Sequence, residues 1–141
     1  MKSRSAIARA RQIPKTPRMS DFEDLGGEPA LRAIIDAFVD RVFDDVMIGF
    51  MFRNASRERL REMEYQHAAE HLGGGVVYGG RGLREAHAPH RIMGGQFERR
   101  KKILSDVLVS QKVDEGVRER WLAHVESLRG LVTADSGSEC R

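Results

Sequence analysis

The chain has 141 residues, 40% of them apolar and 32% charged, which suits one ordinary globular domain. No apolar run approaches the ~20 residues needed to span a bilayer. The single cysteine, Cys140, excludes both a disulfide framework and a cysteine-based zinc site and fits a reducing, cytoplasmic compartment.

The net charge of +3 is a property of the N-terminus. Residues 1–18 hold six of the 24 Lys and Arg and none of the 21 acids, so the remainder carries 18 against 21, or −3. An acidic body is a poor phosphate-binding surface, so no nucleic-acid partner is expected, and no membrane partner either. Residues 1–20 read as a basic extension, 21–133 as the globular domain and 134–141 as a tail. "MKSRSAIARARQIPKTPR" is Arg-rich and acid-free, like an organelle transit peptide. The readings favoured by composition are a disordered arm, or residues upstream of a true start at Met19.

"DLGGEPALRAIIDAFVDRVFDDV" predicts the first helix. Gly26 and Gly27 make a corner and Pro29 suits a first turn. Leu31, Ile34, Ile35, Phe38, Val39, Val42, Phe43 and Val46 then follow the spacing of one buried helical face. "MIGFMFRN" is an apolar connector, and Ser56 can cap a helix from about Arg57 to Leu72. That helix carries two stripes: Leu60, Met63, Glu64, His67 and His71 along one, Tyr65, Ala68, Ala69 and Leu72 along the other. "GGGVVYGGRG" forces a loop. Leu83 to His87 can make one helical turn, stopped by Pro89. A helix from about Gly95 to Val109 buries Phe97, Ile103, Leu104, Val107 and Leu108. Asp114 starts a last one through Val117, Trp121, Val125, Leu128 and Val132. The fold class is all-α.

His87 is the residue that raises a functional question. Leu83, one turn earlier, is apolar, so the imidazole points inward at a helix end. An inward histidine can be a hydrogen-bonded core residue, a zinc ligand, or the axial ligand of a haem iron. His67 and His71 have the spacing of two metal ligands on one helical face, without the accompanying residues of a zinc protease.

The segments "LGGEPALRAIIDAFVDRVFDD", "FMFRN", "RLREMEYQHAAEHLGG", "YGGRGLREAHAPHRI" and "QFERR" together resemble a truncated haemoglobin, the short bacterial and plant branch of the globins, from roughly Asp21 to Val132. The resemblance implies a globin-like, two-on-two helical sandwich holding haem b, with His87 as the proximal iron ligand. It places Phe52 flat on the porphyrin, Phe38 and Val39 on the distal side, and Leu60 and Glu64 facing a bound gas. Arg84, His90 and Arg91 are candidates to meet the propionates. Leu83, Ile92 and Phe97 complete the candidate lining, with His67 as a further donor and Met63 as an alternative sixth iron ligand or a core residue.

The sequence departs from the family at two places. Val39 stands where the family usually has a tyrosine, and Glu64 where it often has a glutamine. Valine donates no hydrogen bond, and a bare buried carboxylate is costly unless protonated, paired or turned away. Arg100 interrupts the apolar stripe three residues after Phe97 and is a candidate partner for Glu64; the alternative is a solvated run of Arg99, Arg100, Lys101 and Lys102. The expected function is binding of oxygen or nitric oxide with fast exchange. Haem redox chemistry of the nitric oxide dioxygenase or peroxidase kind stays open, with an electron-donating reductase as partner and a monomer or weak homodimer as the assembly. The alternative is a globin-fold regulatory protein that holds no haem.

Overall fold

The computed structural model describes residues 20–78, 82 and 92–133. Among these, every regular element is helical. They are α1 (Asp21–Leu25), α2 (Gly27–Asp44), a 3-10 turn (Gly49–Phe52), α3 (Arg57–Leu72), α4 (Gly94–Ser110), α5 (Glu115–Ser127) and α6 (Arg129–Val132). The expected all-α class holds.

Helix α2 is the hub. It packs on α3 along one side and α4 along another, while α4 also packs on α5. Leu31, Ile34, Ile35, Phe38, Val39 and Val42 are all buried along its inner face. At about 1.5–3 kcal/mol for each such side chain, this face anchors the helix far more strongly than its propensity does. From α4, Phe97, Ile103, Leu104, Val107 and Leu108 meet it, and α5 adds Val117, Trp121 and Val125.

Helix α3 is held differently. Its buried residues, Tyr65, Ala68, Ala69 and Leu72, all lie in the second half. The first half is tied down by charge: Arg57 and Arg61 both reach Asp40 on α2, at 3.0 and 2.7 Å. Such half-exposed pairs are worth at most about 1 kcal/mol each. They therefore orient this half of the helix more than they stabilise it. Ser56 accepts the Arg59 N–H at 3.1 Å, as expected of a cap. Gly73, at φ 90°, ends the helix in a left-handed turn that returns the Gly74 N–H to the Ala69 carbonyl at 2.8 Å.

Three local features differ from the sequence reading. Residues 21–25 form a helix of their own before the glycine corner. Ser20 and Glu23 close a capping box around it, and Gly26, at φ 118°, ends α1 and opens α2. Val46 is 95% exposed rather than part of the buried face. The reason is Asp45, whose backbone turns extended and whose carboxylate captures the N–H groups of Met47 and Ile48 at 2.9 and 3.0 Å. That turn sends Val46 outward and Ile48 into the core. The last helix also breaks at Leu128, whose N–H bonds three residues back to Val125, next to the poor helix former Gly130. Thr133 then closes the final turn by donating its hydroxyl to the Arg129 carbonyl.

Candidate functional site

The half-buried stripe of α3 reaches α4 through Glu64 and Arg100 and α5 through His71 and His124. On α2, Phe38 and Val39 are 2% and 0% exposed, and on α4 Phe97 is 3% exposed. Phe52, Leu60 and Ile92 pack against the same core cluster while remaining partly open. Phe52 is set by the 3-10 turn and leans on Phe43, ring centres 5.6 Å apart. Met63, Glu64 and His67 are half-buried on α3. Residues distant in the sequence therefore share one apolar cluster, the wall, and the half-buried polar residues of α3 form its border.

The polar border has a defined geometry. Arg100 Nη2 donates to Glu64 Oε1 at 2.8 Å, tying α4 to α3. The same guanidinium lies 4.8 Å from the centre of the Phe38 ring, a cation–π distance. The carboxylate that the sequence left in question is thus paired, which removes the cost of burying it alone. Phe38, Val39, Leu60 and Met63 carry no hydrogen-bond donor, so the positive charge at this border comes from Arg100.

The histidines of α3 diverge. His67 stacks on Tyr78 at 3.7 Å, and His71 stacks on His124 of α5 at 3.8 Å with the planes 11° apart. The spacing that suggests a two-histidine metal site gives each ring a different neighbour. Among the described residues no group of three or more His, Cys, Asp or Glu is arranged to hold a metal. Burial depresses the basicity of both His71 and His124, and at His71 the second ring adds to the effect while Asp21 opposes it. Nε2 of His71 is buried without a hydrogen-bond partner. The His71–His124 contact was not legible in the sequence, because nothing in their spacing relates residues 53 positions apart. Leu83, Arg84, His87, His90 and Arg91 lie outside the described residues.

Two hollows occur elsewhere. One, of about 550 Å³, is lined by Phe50, Met51, Arg53, Asn54 and Ala55 at the corner before α3. The other, of about 430 Å³, lies between the end of α2 and α4 and is bordered by Asp40, Asp44, Asp45 and Asp106. Both are shallow surface features without the convergent apolar lining of a ligand site. Phe38, Val39 and Phe97 lie inside the apolar core cluster, with Phe52 and Leu60 partly open against it. Apolar side chains with an ion pair beside them are the chemistry that a porphyrin face and its charged edge call for.

Comparison with known proteins identifies the family and the fold. Residues 20–134 match the sequence model of the bacterial-like globins. The group 1 truncated haemoglobin of Synechocystis is 30% identical over 113 residues, covering 77% of this chain and 88% of that protein. The crystal structure of the truncated haemoglobin from Tetrahymena pyriformis, in its Fe(III) form, superposes with a TM-score of 0.76 at 25% identity, covering 82% of this chain and 99% of that one. The 2/2 haemoglobin of Synechococcus, crystallised in the cyanomet state with covalently attached haem, shares the fold with a TM-score of 0.74 at 21% identity, covering 79% and 94% of the two chains. A family match across all the described helices, a relative 30% identical over most of both chains and a shared fold place this chain among the truncated haemoglobins, with their two-on-two helical fold.

Proposed function

We propose that this chain binds haem b and, through it, a diatomic gas, oxygen or nitric oxide. The observation that carries the reading is the Glu64–Arg100 pair set against Phe38, in an apolar cluster that also holds Val39 and Phe97. Family membership and the haem named for the Synechococcus relative support it. In this reading His87 is the proximal iron ligand, Phe52 packs on the macrocycle, and Leu83 and Ile92 close the lining. Arg84, His90 and Arg91 meet the propionates. When bound, the haem supplies a redox-active iron with an open position for the gas.

The surrounding side chains set how firmly a ligand is held. Val39 and Leu60 exclude water but donate no hydrogen bond, so neither stabilises partial negative charge on a bound gas. The pocket therefore favours fast exchange, or redox turnover with an electron-donating reductase, over long-term storage. A monomer or weak homodimer suffices for this function, because the wall is built from helices of one chain.

The test is an absorption spectrum of protein from a haem-replete culture, ferric and ferrous, with and without carbon monoxide. His87→Ala should abolish the ferrous bands of a His-ligated haem. Unchanged spectra in that variant would refute the ligand assignment, and a colourless wild-type protein would refute the function.

A further inference from the structure

The polar border of the wall is charged where neutral donors would serve a neutral gas. Val39, Leu60 and Met63 donate nothing, and Glu64 is engaged as an acceptor. The ring of His67 is stacked on Tyr78. Arg100 is different: a permanently charged planar fork of five N–H groups, brought from α4 over the Phe38 ring and bonded through Nη2 to Glu64. A purely structural link between α3 and α4 is met at least as well by an apolar pair, because a partly desolvated ion pair gains little net stability. The side chains of Arg100 and Glu64 are 28% and 23% exposed, so the pair lies at the mouth of the wall rather than within the core.

We infer that Arg100 selects the charge of what binds in this pocket, favouring small monoanions of the azide, fluoride and nitrite class, and that Glu64 is a built-in competitor for the same guanidinium. The inference rests on the haem reading above. With Glu64 in place the pair is neutral, and an incoming anion has to displace the carboxylate from Nη2. Replacing Glu64 with glutamine removes the competing charge, keeps the shape, and leaves Arg100 with an uncompensated positive charge. Replacing Arg100 removes the attraction altogether. A neutral ligand such as carbon monoxide should respond to neither change.

The experiment compares azide and carbon monoxide affinities, by spectral titration of the haem-loaded full chain, in wild type, Glu64→Gln, Arg100→Leu and Arg100→Lys. Glu64→Gln should tighten azide binding about tenfold and Arg100→Leu should weaken it about tenfold, as expected for one charge-assisted bond. Arg100→Lys should fall between wild type and Arg100→Leu, since it keeps the charge and loses the fork. Carbon monoxide affinity should stay within about twofold throughout, because no charge changes on its binding. In the haem-free chain, urea unfolding of Glu64→Gln, Arg100→Leu and the double variant should show non-additive effects, reporting the pair without any ligand. If Arg100→Leu does not fold, the glutamine and lysine variants carry the comparison. Azide and carbon monoxide shifting together, or azide indifferent to both residues, overturns the inference while leaving the haem reading intact. Additive effects in the haem-free chain overturn it as well. A chain that takes up no haem sinks both.

Discussion

Asp45 fixes the corner that delivers Phe52 to the wall, and removing its carboxylate should cost stability in a way the structure apportions. The carboxylate accepts the Met47 and Ile48 N–H groups at 2.9 and 3.0 Å and the Arg99 Nε–H at 2.9 Å. The first two are bonds of the helix-cap kind, where substitution by alanine costs about 0.5–2 kcal/mol. The ion pair adds less, because Arg99 is 36% exposed and water screens it. Asp45→Ala should therefore lose about 1–2 kcal/mol, lowering the melting temperature by about 3–10 °C in a domain of this size. The assay is thermal unfolding followed by circular dichroism at neutral pH, with Arg99→Gln as the companion variant. The bond from Arg99, helped by the two backbone N–H groups, holds the Asp45 carboxyl below its ordinary range despite burial. A depressed carboxyl contributes stability above its unfolded pKa and loses it as pH falls through the folded one. The gap between wild type and Asp45→Ala should accordingly close in strong acid. An Arg99→Gln variant that melts as low as Asp45→Ala would show that the ion pair, and not the turn, carries the effect.

Two further predictions follow from packing. Because burial lowers the basicity of both, His71 and His124 should make the fold less stable as pH drops below the ordinary histidine value of 6.5. His124→Phe, which keeps the stack and removes one titrating ring, should flatten the dependence of the urea midpoint between pH 7 and 5; an unaltered slope would assign that dependence to other groups. Gly49→Ala should lose about 1–3 kcal/mol, since a Cβ there would lie 2.6 Å from the Phe43 carbonyl oxygen, and backbone cannot yield cheaply. Gly95→Ala, where nothing lies within 4 Å, is the control and should leave the urea midpoint unchanged or slightly higher.

The long amphipathic elements could be read from the sequence because their periodicity is set by the same burial that stabilises them. Every apolar residue assigned to the inner face of α4 is buried, and α3 spans the expected residues from its serine cap. The pairing of Glu64 with Arg100 was legible for a different reason: each breaks an apolar stripe, and two misplaced charges of opposite sign satisfy one another most cheaply. Short-range polar chemistry was harder to read. Ser20 and Glu23 carry a capping box that periodicity alone does not register, and Asp45 ends α2 two residues before the apolar pattern does. The stacks of His67 on Tyr78 and His71 on His124 depend on how loops and helices dock, which local spacing does not encode.

The placement of α1 has a consequence for the order in which the domain is assembled. Five residues are too few to hold a helix in water without tertiary support. That support comes from two places: the turn after α3, where Gly73 and Gly74 lie so close to Ser20 and Phe22 that a Cβ would come within 2.9 and 2.8 Å, and Arg120, which grips Asp21 from 99 positions away. Synthesis makes α1 before either of its supports, first the turn after α3 and then Arg120 on α5. This short helix is thus completed from outside itself in two stages, and a nascent chain stalled before α5 would lack the Arg120 clasp on Asp21.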